Sequence, residues 1–247
     1  MVAFTIPAIA KDKKDTGKKV PPGVLFTAPL GVMRGATSKL LIRGHDLSEA
    51  SEAKCELGGK PLHATIKSKS KSAPPAPLTP EAVGESQVEV ELEIPADAPA
   101  SDVSITIVTP VGATPPRALR TFAAGALTPE KEPNGGFPNA QKIHPATTIQ
   151  GAIQEPNDVD VFRFKASKGQ KLSAHVIAAQ LGSPLDSLLT LYDAHHHVIA
   201  SNDDTDASPD SSLDIALTRD GEYYLSVTDA NGRGGALYAY LLEVRVK

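Results

Sequence analysis

Asn157-Asp158-Val159-Asp160-Val161-Phe162-Arg163-Phe164 starts acidic and turns apolar, and its reading decides the fold. Phe162, Phe164 and the following Ala166 recur with the two-residue period of a β-strand that buries one face. The same alternation predicts that Asp158 and Asp160 share a side of the extended segment. A second acidic stretch, Glu130-Lys131-Glu132-Pro133-Asn134-Gly135, stands upstream of it. Together the two stretches offer carboxylate and amide oxygens that can wrap a hard cation at a sheet edge. Calcium takes roughly six to eight such oxygens at about 2.3–2.6 Å. The other reading is an acidic linker before a strand whose aspartates face water. Spacing alone leaves both open.

Outward from this segment, strand patterns recur at Lys171–Ala178, Ser187–Tyr192, His197–Ser201, Ser212–Leu217, Tyr223–Val227 and Leu237–Val246. Gly169, Asp193, Asp203 to Asp210, Asp220-Gly221 and Asn231-Gly232 supply the turns between them. Short strands at regular spacing predict a sandwich or jelly roll. Upstream, Gln87 to Ile94 alternates without a break: Val88, Val90, Leu92 and Ile94 against Glu89, Glu91 and Glu93. Ser38–Arg43 and Asp102–Val108 read as further strands, and Ser68–Pro80, rich in Ser, Lys and Pro, as a long exposed loop. The whole is expected to be all-β, two β-sandwiches in tandem. Residues 1–20 form a tail, 21–123 the first sandwich and 124–247 the second with its linker, the two cores being separate and dividing near 123–130.

Composition agrees. A chain of 247 residues with 21 prolines, 19 glycines and no tryptophan favours short strands and turns. A net charge of −4 gives no electrostatic reason to expect nucleic acid. Lys11 to Lys19 and Lys67 to Lys71 lack interleaved aromatics and read as solvated surface. No apolar run approaches the roughly 20 residues of a membrane span. Cys55 is the single cysteine, so no internal disulfide forms, and it reads as buried filler.

An ordered set of short pieces resembles a known family. These are Glu132-Pro133-Asn134, Gly151-Ala152-Ile153, Asp158-Val159-Asp160-Val161-Phe162, Gly182-Ser183-Pro184-Leu185-Asp186, Asn202-Asp203-Asp204 and Gly221-Glu222-Tyr223-Tyr224-Leu225. In this order they resemble the bacterial pre-peptidase C-terminal (PPC) domain, a jelly-roll-like accessory module of secreted peptidases. The resemblance implies a calcium site built from Glu130, Glu132, Asn134, Asp158 and Asp160. Gly135 stands where the family often continues with Asn or Asp, which removes one ligand. It also implies export, to which Met1–Ala10, apolar and ending in Ala8-Ile9-Ala10, adds an incomplete secretory signal. Pro29-Leu30-Gly31, Leu40-Leu41-Ile42-Arg43-Gly44-His45-Asp46-Leu47 and Ile107-Val108-Thr109-Pro110 resemble the immunoglobulin-like fold of the IPT/TIG type, which implies a spacer or binding fold.

Other candidates weigh less. Asn202-Asp203-Asp204-Thr205-Asp206 lacks the glycine and final glutamate of an EF-hand loop, so Asx turns account for it. His195-His196-His197 reads as an exposed hairpin tip, because consecutive side chains on an extended segment diverge. His45, His63, His144 and His175 have no evident Ser or Cys partner, and no catalytic motif occurs. The expectation is a non-catalytic, exported, calcium-stabilised module that attaches to a protein or polysaccharide surface. The alternatives are a hydrolase with an unrecognised site and a purely structural spacer. Of the tyrosines Tyr223, Tyr224, Tyr238 and Tyr240, only Tyr224 is expected to be free, so collagen binding through exposed tyrosines is not expected.

Overall fold

The computed structural model describes residues 21–205 and 208–247. The expected tail 1–20 and its signal-like start lie outside them, as does Asp206. The N-terminal half runs β1 (Gly23–Ala28), β2 (Gly31–Met33), β3 (Ala36–His45), β4 (Glu52–Leu57), β5 (Lys60–Leu62), β6 (Ala64–Lys71), a one-turn helix α1 (Pro80–Val83), β7 (Ser86–Ile94), β8 (Val103–Thr109), β9 (Gly112–Ala113) and β10 (Arg117–Phe122). The C-terminal half runs β11 (Leu127–Pro129), β12 (Gln141–Lys142), β13 (Thr147–Ala152), β14 (Val159–Ala166), β15 (Lys171–Ile177), β16 (Ser187–Tyr192), β17 (Val198–Asn202), β18 (Ser212–Ala216), β19 (Gly221–Asp229) and β20 (Ala239–Val246).

The protein is all-β, with two sandwiches in tandem. In the first, the sheet β1-β3-β7-β6 faces the sheet β2-β10-β8-β4-β5, with β9 beside β8. In the second, β11-β13-β20-β15-β18 faces β12-β14-β19-β16-β17. The alternation read from β7 holds residue by residue: Val88, Val90, Leu92 and Ile94 are buried, while Glu89 and Glu93 are exposed. On the facing sheet, Val103, Ile105 and Ile107 of β8 close the same core. In the second sandwich Phe162, Phe164, Leu172, Leu189, Leu225, Tyr240 and Leu242 fill the interior. Burial pushes the Cys55 thiol up to about 11, which leaves it an unreactive core residue.

One stretch departs from its reading. Ser68–Lys71, expected in a loop, belongs to β6, which pairs with β7 through a bulge between Ile66 and Ser68. β6 is an outer strand, and its Lys67, Lys69 and Lys71 face solvent. Charge on a sheet edge discourages further pairing, so the composition that suggested a loop belongs to an edge strand.

No sheet among the described residues mixes strands from the two halves, but a third apolar cluster does draw on both. Phe26, Leu30 and Val83 meet Leu127, Ile177, Leu237, Ala239 and Leu241. Strand β20 explains how. Tyr240, Leu242 and Val244 point into the second core, while Ala239 and Leu241 point out towards the first sandwich. Polar ties flank the apolar contact. Arg117 Nη2 donates to Leu181 O at 2.7 Å, Gly31 N donates to Gln150 Oε1 at 2.8 Å, and Arg120 Nη1 donates to Glu243 Oε1 at 3.3 Å.

Candidate metal centre

The linker that leaves the interface at Leu127 enters β11, which pairs in parallel with β13. Glu130 follows at once. Its N–H continues the pairing to Gln150 O at 2.9 Å, and its Oε2 accepts the N–H of Ala152 at 2.9 Å. The carboxylate is thereby aimed inward, over Gly151. A Cβ at Gly151 would lie 2.5 Å from Glu130 Oε2 and 2.6 Å from Tyr240 Oη, so only glycine admits both.

From the opposite sheet, β14 directs Asp160 to the same point. Asp160 is completely buried, and Tyr240 donates its hydroxyl to Asp160 Oδ2 at 2.7 Å. Glu132 and Asn134 complete the group. Asn134 N donates to Glu132 Oε2 at 2.8 Å, its Nδ2 donates to Glu130 Oε1 at 2.9 Å, and its carbonyl accepts Val161 N at 3.2 Å. Ligand oxygens of Glu130, Glu132 and Asp160 all lie within 4.8 Å of one another. Such a cluster of carboxylates is repulsive unless a proton or a cation neutralises it. Burial, the hydrogen bond to Glu130 and then that carboxylate's charge push the Asp160 carboxyl up to about 10. Burial and the same two carboxylates raise the Tyr240 phenol well above its usual range.

Two oxygens decide whether the site fits a metal. Asn134 Oδ1 and Asp160 Oδ1 are buried and have no hydrogen-bond partner. Unsatisfied buried oxygens are rare in folded proteins. Asp160 belongs to the acidic group that could hold a metal ion, and Asn134 is hydrogen-bonded to its Glu130, so the donor chemistry fits a hard cation.

Asp158 does not join its neighbour. Its Oδ2 accepts Gln154 N at 2.7 Å and its Oδ1 accepts Val159 N at 2.9 Å. Asn157 takes a positive φ of 65°, so the chain is still turning at Asp158 and the alternation begins only with Val159. Tyr224, expected to be free, is only 8% exposed. Phe137 packs edge-on against it at 5.2 Å, and His196 stacks on Phe137 at 3.9 Å, so the hairpin tip closes over the aromatic pair. In the Asn202–Thr205 loop the Asn202 side chain bridges rather than forms an Asx turn: its Nδ2 donates to Asp204 O at 2.7 Å and its Oδ1 accepts Ser212 N at 2.8 Å. His175 does have a serine partner that the sequence hid. Ser173 Oγ lies 2.7 Å from its Nε2. Asp214 approaches that same nitrogen, at 3.9 Å, rather than Nδ1, so Ser173, His175 and Asp214 do not have the order of a catalytic triad.

Residues 158–229 match the family model of the bacterial pre-peptidase C-terminal domain. The second sandwich carries a PPC domain. Among solved structures, the chain is similar to the pre-peptidase C-terminal domain of a collagenase from Bacillus anthracis, at 19% identity and a TM-score of 0.34, covering 44% of this chain and 94% of that one. It is also similar to PliG of Aeromonas hydrophila, a periplasmic inhibitor of g-type lysozyme, at 16% identity and a TM-score of 0.33, covering 49% and 96%. A further similarity is to SGBP-B of a Bacteroides ovatus mixed-linkage glucan utilization locus, at 10% identity and a TM-score of 0.25, covering 88% and 72%. No curated protein matches the chain. Among the described residues, no helix is long and apolar enough to cross a membrane.

Proposed function

We propose that the protein is an exported, non-catalytic attachment module whose PPC domain is stabilised by calcium. The match of residues 158–229 to an accessory-domain family supports the module reading. The metal reading rests on the exposed Glu132, the half-buried Glu130 and the buried Asp160 converging at the edge of the sandwich, where Asn134 Oδ1 and Asp160 Oδ1 lack partners. In this reading Glu130, Glu132, Asn134 and Asp160 hold the ion, and Asp158 shapes the turn that delivers Asp160. The first sandwich is read as an immunoglobulin-like spacer of the IPT/TIG type, packed on the PPC domain through the Phe26–Leu241 cluster. The partner is a protein or polysaccharide surface.

A cation that binds only the folded state stabilises it by about 2.7 kcal/mol when free at a hundred times its dissociation constant. Thermal unfolding with calcium or with chelator tests the metal. The midpoint is expected to rise with calcium, and a midpoint that ignores both additions removes calcium from the proposal. Sedimentation of the purified protein with insoluble polysaccharides and protein matrices tests attachment. Failure to sediment with any of them leaves the spacer reading.

A further inference from the structure

The outer face of the sheet β11-β13-β20-β15-β18 has two unlike ends. At one, Ile177, Ala239 and Leu241 pack under the first sandwich. At the other the face is open, with polar side chains set among Ile215 and Ala216, and the strand register fixes where they lie. Ser173 sits between Asp214 on β18 and Arg245 on β20, and His175 sits between Ser212 and Glu243. Two cavities lie over these rows, about 490 Å³ above Ser173, Asp214 and Arg245, and about 280 Å³ above His175, Ser212 and Glu243. The rows touch. Ser173 Oγ is 2.7 Å from His175 Nε2, and Arg245 Nη2 is 3.5 Å from Glu243 Oε2. Arg120 of the first sandwich lines the far cavity and pairs with Glu243, so the groove ends against that sandwich.

We infer that this groove is a binding site for a neutral polysaccharide segment. The inference rests on the reading of the chain as an attachment module and names its ligand class and its site. A sugar hydroxyl donates one hydrogen bond and accepts others, so its site must mix donors and acceptors along the chain. The groove does this. The guanidinium groups of Arg120 and Arg245 donate, the carboxylates of Asp214 and Glu243 accept, and Ser173, Ser212 and His175 do either. Arg120, Lys171, Arg245 and Lys247 line the two cavities with Asp210, Asp214 and Glu243, so cations and carboxylates nearly offset, which favours an uncharged ligand. The position also suits a ligand, since binding sites concentrate where domains meet. Among the described residues, no Tyr or Phe lines either cavity. The imidazole of His175, 41% exposed as a side chain, is the flat ring on offer, and affinity therefore depends on the hydrogen bonds.

Affinity electrophoresis of the full chain, in gels containing a soluble neutral β-glucan or xylan and in gels containing polygalacturonate, tests the inference. Retardation in a neutral gel is expected. His175→Ala and Arg245→Ala, both at solvent-facing positions, are expected to weaken it at least about tenfold, near 1.4 kcal/mol. Their thermal midpoints and their response to calcium should stay at the wild-type values, which separates loss of the groove from loss of the metal site. Lys171 and Lys247 stand at the open end of the groove, so a polyanion is the competing ligand. Retardation by polygalacturonate alone, abolished by salt, overturns the inference. So does retardation in the neutral gels that both variants retain, or no retardation in any gel. A metal-independent wild-type midpoint with groove-dependent retardation sinks only the calcium reading.

Discussion

Tyr240 reaches from β20 across the interior of the PPC sandwich and donates its hydroxyl to Asp160 Oδ2 on β14 at 2.7 Å. The bond joins the two sheets at the point where the inter-domain linker ends. Asp160 thus has one oxygen satisfied and one without a partner, and the residue itself has no exposure to water. The carboxyl is held against its own ionisation, and that has a measurable pH signature.

Without metal, Asp160 keeps its proton up to about 10, whereas an unfolded aspartate loses it near 4. Between these values the folded state binds more protons than the unfolded one, so stability falls as pH rises. Chelator-treated protein is expected to melt higher at pH 5 than at pH 8. Calcium should reverse the order, since it binds the ionised form. Asp160→Asn should flatten the pH dependence, raise the metal-free midpoint at pH 8 and abolish the calcium response. Denaturation curves at the two pH values check all three.

Gly151 offers a sharper probe, because an added methyl group would meet both Glu130 and Tyr240. Overpacking of this kind typically costs about 1–3 kcal/mol. Gly151→Ala is expected to lower the midpoint and to weaken calcium binding, as measured by titration calorimetry. Gly136→Ala is the control. Its φ is −172° and the closest atom to an added Cβ is Pro138 Cδ at 3.8 Å, so the midpoint should hold.

Much of this was legible in the chain, and the rest has physical reasons for being hidden. Strands with one wet face, such as β7 and β14, announce themselves by alternation. Strand β13 does not, because Thr147-Thr148-Ile149-Gln150-Gly151-Ala152 lies between two partners and faces the second core on one side and the first sandwich on the other. Glu130, Glu132, Asn134 and Asp160 could be named together from an ordered resemblance. The role of Gly151 needed the third dimension. Asp158 precedes the strand, which begins at Val159, so alternation does not govern where its carboxylate points. Ser173 and His175 stand two apart on one strand and touch, a contact that the sequence allowed but that no motif pointed to.

The inter-domain cluster predicts coupled unfolding. Phe26 is fully buried, and it packs in the cluster that takes Leu241 from the PPC sandwich. Phe26→Ala should cost about 3–5 kcal/mol. The loss should fall on the joint, so calorimetry is expected to resolve two transitions where the wild type shows one. Limited proteolysis should then cut between Phe122 and Leu127, ahead of the metal loop. A single transition in the variant would show that the cores stay coupled without the Phe26 contact.

Arg43 governs the segment between β6 and β7. The residue is 3% exposed, and each of its five guanidinium N–H groups has an acceptor. Nε donates to Val83 O at 3.2 Å, Nη1 to Ser72 Oγ at 2.9 Å and Gln87 Oε1 at 3.0 Å, and Nη2 to Ser72 O at 2.7 Å and Gly84 O at 3.1 Å. The segment from Ser72 to Gly84 has only α1 as regular structure, so one side chain pins both of its ends. Burial lowers the Arg43 pKa and nearby Glu85 opposes that shift, so the group remains a cation. Arg43→Met should leave three carbonyls without donors and cost on the order of 3 kcal/mol. For a sandwich of this size that is a fall of roughly 10 °C or more in its midpoint. Arg43→Lys keeps the charge but has three donors and no planar fork, so it is expected to recover only part of the loss. Hydrogen exchange across residues 72–85 should quicken in both variants, and more in Arg43→Met. Equal exchange in wild type and variants would mean that the segment is held by α1 and its own turns.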